Sequence, residues 1–280
     1  MIASGAGSSG ASGSRASGSA NPAPHPNALL PVWVVDLDGV VWLAGTPLPG
    51  AAEAVARARE GGFRVVFVTN NAGPPRARLL EMLASCGIDA ESRDLVTSAE
   101  AAGALLEPGS RAVLCAGEGV AEALEERGVE IVNEGPADAV VVGFTRLAGF
   151  DDLTRAMRAV REGAMLIGTN DDPTYPTPDG LVPGAGALLA AVATASGTEP
   201  IVAGKPYGPM VELLRARLLR IALVVGDRPS TDGLLARALD APFALVRSSA
   251  TPVAPHGVVA AWEGGSLEEV VGLALAHACG

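Results

Sequence analysis

The sequence predicts an α/β protein built on a parallel sheet, and three observations lead there. From Pro31 onward, short apolar runs alternate with helical stretches, the rhythm of successive βα units. The runs are continuously apolar, as strands covered on both faces are. Ala, Val and Leu dominate while aromatic residues make up only 4%, which suits a core of aliphatic strands and Ala-rich helices.

Val32 to Val35 reads as the first buried strand, ending in acidic residues. Pro49 and Gly50 turn the chain into a helix, Ala51 to Glu60, stopped by Gly61-Gly62. Arg64 to Val68 is the second strand. The next helix, Pro75 to Cys86, opens with proline in its first turn and stops at Gly87. Another starts near Thr97, where Thr97 and Glu100 have capping-box spacing. Strands are expected at Arg111 to Cys115, Glu130 to Val132, Ala139 to Val142 and Met165 to Ile167, with helices near Ala121 to Arg127 and Asp152 to Glu162 between them. After Asn170 a polar, proline-punctuated stretch reads as loop through Pro183, followed by a helix from about Gly186 to Ser196. The last third gives a helix from Pro209 to Leu219, a strand from Ile221 to Val225, a helix from Thr231 to Leu239 and a strand from Phe243 to Val246.

At 280 residues the chain accommodates two domains of about 150 residues each. Residues 1–28 are rich in Ser, Gly and Ala and are expected to form a disordered tail. The first 18 residues carry a single basic residue, Arg15, and no apolar core of the kind a signal peptide needs. No run reaches the roughly 18 apolar residues of a membrane span. The formal net charge of -11 argues against nucleic acid and anionic membranes as partners. A small phosphorylated metabolite remains compatible, because exposed charges are screened over about 8 Å and a local cation can outweigh the total. Cys86, Cys115 and Cys279 lie far apart without CxxC spacing, so neither zinc nor a disulfide framework is indicated, and a reducing cytoplasm is the expected setting. A homo-oligomer is compatible with the sequence.

Two strand ends carry acids, and in open parallel sheets ligands bind at the carboxyl ends of strands. Asp36 and Asp38 follow the first strand. One carboxylate there can act as nucleophile and the other as general acid and base, although an acidic turn is an equally good reading of the pair alone. Asp227, Ser230, Thr231 and Asp232 follow another apolar strand. Asp36 and Asp227 together would suit a hard magnesium ion, while Ser230, Thr231 or Asp232 could equally cap the next helix. Thr69, with Asn70 and Asn71, ends the second strand just before a helix, where a hydroxyl and backbone N–H groups can cradle a phosphate, or simply make a turn. Lys205, between Gly204 and Pro206 in a largely apolar stretch, is a cation that could neutralise phosphate or nucleophile, where a lone loop lysine is ordinarily solvated. Gly117-Glu118-Gly119 hints at a dinucleotide fingerprint, but Glu122 stands in the third glycine's place. Trp33, Trp42 and Trp262 read as space-filling, and His25, His256 and His277 lie near no motif.

In combination, the Asp36-Leu37-Asp38-Gly39 strand end, Thr69, Lys205 and the Gly226-Asp227…Asp232 segment occur in an order that resembles the haloacid dehalogenase superfamily of phosphatases. The long insert between Thr69 and Lys205 resembles the cap of the subclass that includes NagD-type and p-nitrophenyl phosphatases, phosphoglycolate phosphatase and glycerol-phosphate phosphatase. Gly168 to Asp172 and Pro183 to Gly186 carry that likeness into the insert. The resemblance covers about residues 31–250. It implies a Rossmann-like core from residues 29–107 and 199–280, with a large α/β cap of the C2 type inserted at 108–198. It further implies magnesium-dependent hydrolysis of small phosphomonoesters, with Asp36 as the nucleophile that becomes an aspartyl phosphate and Asp38 as general acid and base. Thr69, Asn70 and Lys205 would bind the phosphoryl group. Asp36, Asp227 and the Asp38 carbonyl would hold the metal, with Asp232 behind them. Asn170 and Asp172 are candidates for contacts near the leaving group. Ser230 departs from the acidic residue many such proteins carry, which bears on a contact behind the metal. Two alternatives stand beside this reading: a noncatalytic phosphate- and magnesium-binding regulator, which the presence of Asp38 disfavours, and a phosphotransferase or mutase, which the large insert disfavours.

Overall fold

The computed structural model describes residues 30–177, 179–247 and 257–278. The expected tail, Cys279, His25 and His256 lie outside them. Among the described residues no helix is long and apolar enough to cross a membrane.

Two parallel sheets organise the chain. The first runs, in spatial order, Trp262–Gly264, Phe243–Val246, Ile221–Gly226, Val32–Val35, Arg64–Thr69 and Leu95–Thr97. The second runs Ile201–Val202, Met165–Gly168, Ala139–Val142, Arg111–Cys115 and Glu130–Ile131. Side chains alternate between two packed faces, as strand geometry requires. Val32, Val34, Val66, Val68 and Val224 enter one apolar cluster, whereas Trp33, Val35, Val65, Phe67, Leu223 and Val225 enter another on the opposite face. The first cluster continues through the helices Ser98–Gly103, Glu118–Glu126 and Gly208–Arg217 to Ala112, Ala139, Val141 and Ile167 of the second sheet. One layer of helices is thus shared between the sheets. The outer face of the second sheet packs on Phe150–Arg161 and Ala185–Ser196.

Several elements differ from the sequence expectation. The stretch from Asn170 to Pro183, expected as loop, contains an antiparallel hairpin of Thr174–Thr177 with Gly180–Pro183. Ile201–Val202 pairs with Ile167 and Gly168 on the second sheet, although the expected core resumes at residue 199. The helix expected from Thr231 begins as a wide turn, Pro229–Gly233, in which Thr231, Asp232 and Gly233 all donate to the Arg228 carbonyl, before the helix Leu234–Ala238. Trp262–Gly264 and the helix Leu267–Ala278 complete the first sheet beyond the last expected strand.

Candidate active site

Val32–Val35 is a central strand, flanked by Arg64–Thr69 and Ile221–Gly226. Val35 is in register with Phe67 on one side and Val225 on the other. The residues that end these three strands, Asp36, Thr69 and Asp227, are therefore neighbours at one sheet edge despite their distance in sequence. Asp36 is fixed there by its N–H, which donates to the Val225 carbonyl at 2.9 Å.

Lys205 arrives at the same edge from the far side of the insert. Its expected apolar setting is corrected by the structure: the ammonium is buried and donates to Asp36 Oδ1 at 2.6 Å, Asp232 Oδ1 at 2.7 Å and the Val68 carbonyl at 3.1 Å. Those three acceptors use its three N–H donors. Asp232 accepts the Arg228 N–H at 3.1 Å through its other oxygen, so both its oxygens are engaged. Asn70, expected to help cradle a phosphate, lines the cavity and its side chain has a further part. Its amide oxygen accepts the Lys205 N–H at 2.8 Å and its NH₂ donates to the Lys205 carbonyl at 3.1 Å, a two-point brace on the lysine's backbone. Thr69 Oγ1 accepts the Asn71 N–H at 2.9 Å, leaving its hydroxyl proton for another acceptor.

The insert closes over this edge. Asn170 is buried, donates to the Asn70 carbonyl at 2.7 Å and accepts the Asp172 N–H at 3.1 Å. Its amide therefore joins the two sheets' loops, and the residue also lines the cavity beside Asp36 and Asp38. Asp172 faces the cavity too, and its Oδ1 accepts from Arg228 at 3.0 Å. Tyr175 of the hairpin stacks on Phe144 with ring centroids 4.6 Å apart and accepts from Asn71 at 3.1 Å. The cavity is about 60 Å³ and includes Asp36, Asp38, Thr69, Lys205, Asp172 and Arg228 in its wall. Drug-sized ligands occupy several hundred Å³, so the space suits only a small one.

Acidic groups outnumber cations here. Burial, then the neighbouring Asp232 and Asp227 carboxylates, push Asp36 well above the ordinary carboxylate range, opposed by Lys205. Burial and Asp232 raise Asp227 to about 7. Burial raises Asp38, against the Trp42 N–H and the charges of Lys205 and Arg228. Burial would lower Lys205, but Asp232 and Asp36 hold it above its ordinary value. The deficit of positive charge is what a divalent cation would supply. Asp36, Asp227 and Asp232 offer oxygens within 4.8 Å of one another. Asp232 is committed to Lys205 and Arg228, whereas Asp227 Oδ1 is buried with no hydrogen-bond partner, so Asp227 is the better ligand. Gly39 makes room for it: a Cβ there would meet Asp227 Oδ2 at 2.4 Å, and its φ of +85° favours glycine. The residues fit a hard cation held by Asp36 and Asp227 beside the Asp38 backbone.

Three residues with evident parts in this site carried no role in the sequence reading. Arg228 sits inside the Gly226 to Asp232 segment, and a cation next to an acidic ligand was its available signal. Tyr175 lies on a hairpin announced by Asp179-Gly180, a turn dipeptide, but the surrounding prolines masked it. Trp42 is buried, as a space-filling residue would be, yet its Nε1–H also donates to Asp38 Oδ1 at 3.1 Å.

Residues 33–130 match the family described as haloacid dehalogenase-like hydrolase, and residues 202–260 match one described as HAD-hydrolase-like. The chain is 38% identical over 237 residues to the D-glycerol 3-phosphate phosphatase of Mycobacterium tuberculosis, a match covering 82% of this chain and 64% of that protein. It is 31% identical over 207 residues to the acid sugar phosphatase of Staphylococcus aureus, covering 71% of this chain and 80% of the relative. Among solved structures, the M. tuberculosis glycerol phosphate phosphatase in complex with magnesium superposes with a TM-score of 0.79 at 35% identity, covering 86% of this chain and 77% of that one. The p-nitrophenyl phosphatase of Archaeoglobus fulgidus gives a TM-score of 0.79 at 30% identity, covering 87% and 99%. With sequence and fold matched over most of its length, the chain belongs to the haloacid dehalogenase-like hydrolase family.

Proposed function

We propose that this protein is a magnesium-dependent phosphatase of small phosphomonoesters that works through an aspartyl phosphate on Asp36. The observation that carries the reading is the meeting of Asp36, Asp38, Thr69 and Lys205 in the wall of one small cavity, with Asp227 near Asp36 and its Oδ1 unpartnered. In the first step an Asp36 carboxylate oxygen attacks phosphorus while the bond to the leaving alkoxide breaks, and Asp38, as the acid, gives that alkoxide its proton. In the second, Asp38 as carboxylate takes a proton from water, the resulting hydroxide attacks phosphorus, and Asp36 is released with inorganic phosphate. Lys205 opposes the rise of the Asp36 carboxyl and brings its positive charge beside the nucleophile, and Thr69 offers a hydroxyl donor. A magnesium ion bound by Asp36, Asp227 and the Asp38 carbonyl would supply the positive charge that phosphoryl transfer needs.

The cavity wall supports a polar leaving group. Asp172, Thr174 and Thr231 provide acceptors and hydroxyls beside the Tyr175 ring, a surface suited to a short polyol, in keeping with relatives named as a D-glycerol 3-phosphate phosphatase and an acid sugar phosphatase. The presence of Asp38 in the same wall favours turnover over phosphate binding alone. The test is a panel of phosphorylated alcohols, sugars and phosphoglycolate, assayed with magnesium and with chelator. Activity on small polyol phosphates that disappears on chelation and in Asp36→Asn is expected; activity that survives either change contradicts the proposal.

A further inference from the structure

Trp42 is 1% exposed, and its indole N–H finds its acceptor in Asp38 Oδ1 at 3.1 Å. The local backbone brings the two residues together. Val40, Val41 and Trp42 all donate their N–H groups to the Leu37 carbonyl, at 3.3, 2.9 and 3.2 Å, and the Gly39 N–H donates back to the Trp42 carbonyl at 2.7 Å. The chain after Asp38 is therefore a tight loop that returns Trp42 to it, and the small hairpin of Trp42–Leu43 with Thr46–Pro47 continues from there. The ring is locked among buried neighbours on the same apolar face as Leu37, Val40 and Val41. Asp38 is only partly buried and lines the cavity, so without a tether its carboxyl would be free to rotate between the cavity and its surroundings. The indole N–H fixes Oδ1 and leaves Oδ2 for proton transfer.

We propose that Trp42 is a positioning residue for Asp38, holding its carboxyl in the one orientation that serves both the leaving group and the attacking water. This rests on the reading of Asp38 as acid and base. Trp42→Phe keeps an aromatic ring in the core and removes the N–H. Two esters separate the steps: p-nitrophenyl phosphate, whose leaving group departs without a proton, and glycerol phosphate, whose alkoxide requires one. With glycerol phosphate kcat is expected to fall about 10- to 100-fold at little cost in KM, the range expected when a proton-transfer group is misplaced. With enzyme in excess, the single-turnover release of nitrophenolate should stay within about threefold, since that step does not use the proton. Steady-state turnover of the aryl ester, which needs the water step, should fall in the native background but not further in Asp38→Ala, where the tethered group is absent. Equal losses with both esters in single turnover, or a loss that persists in Asp38→Ala, would assign Trp42 to packing alone and overturn the proposal. Single-turnover rates at saturating enzyme report the folded fraction, so a partly misfolded variant does not mimic either result. If Asp38→Ala retains glycerol phosphate turnover, the acid and base reading itself has failed and the role of Trp42 falls with it.

Discussion

Lys205 is 3% exposed and sits between two carboxylates, at 2.6 Å from Asp36 and 2.7 Å from Asp232. A buried cation of this kind is tolerable only because its donors are all satisfied, and removing it leaves two uncompensated buried acids. Lys205→Met is expected to abolish phosphatase activity and to destabilise the metal-free protein by about 3–5 kcal/mol, the cost of breaking a buried pair; urea unfolding measures it. Loss of activity without loss of stability would mean that the lysine serves substrate alone. The same residue marks the limit of sequence reading. Asp36, Thr69 and Asp227 were legible as neighbours because parallel strands bring their carboxyl ends to one edge. The partners of Lys205 lie 169 and 27 positions away, and its sequence neighbours are apolar, so its acidic surroundings became visible only in the fold. Asn70 and Asn170 were legible as site residues but not as braces, because a side-chain amide's partner is set by which loops meet.

At the level of elements, one helix start bears on the site and another on stability. The helix Ala185–Ser196 begins against the loop that carries Asp172: the Gly186 N–H donates to the Asp172 carbonyl at 2.9 Å, and a Cβ on Gly186 would meet the Asp171 carbonyl oxygen at 2.2 Å. That approach is backbone on backbone, so Gly186→Ala must move the loop. Its kcat/KM is expected to fall by about 10- to 100-fold, as for a misplaced active-site segment, while far-ultraviolet circular dichroism remains native; unchanged kinetics would mean that the loop does not set the site. The helix Ser98–Gly103 starts with the capping box foreseen from Thr97 and Glu100, with N–H to side-chain distances of 2.9 and 3.3 Å. Thr97→Ala should cost about 1 kcal/mol, read as a lower unfolding midpoint with activity retained. The capping box was legible because it is local. The hairpin over the cavity was not, because Pro173, Pro176, Pro178 and Pro183 outweigh a short β-branched pattern, and its strands are held by each other and by Tyr175 stacking on Phe144 rather than by propensity.

Across the whole molecule, two sheets that share one helical layer bring five acidic side chains, Asp36, Asp38, Asp172, Asp227 and Asp232, around Lys205 and Arg228. Asp227 is raised to about 7 from an ordinary 3.8. A carboxyl raised on folding contributes its full stabilisation below the unfolded value and loses it as pH rises through the folded one. The metal-free protein is therefore expected to lose thermal stability between about pH 4 and about pH 7, and magnesium, which competes with the proton, should raise the melting temperature more at about pH 8 than at about pH 5. A magnesium effect independent of pH would remove Asp227 from the metal site. Most of the alternation of strands and helices was legible from buried apolar runs. The pairing of Ile201–Val202 with the second sheet was not, since two residues carry no periodicity. The most direct test of the central claim is to quench the enzyme during turnover of a small phosphomonoester with magnesium, reduce with borohydride and map the modified residue by mass spectrometry. Reduction of an acyl phosphate to homoserine at position 36 is the predicted result; an unmodified Asp36, or a label on any other residue, would contradict it.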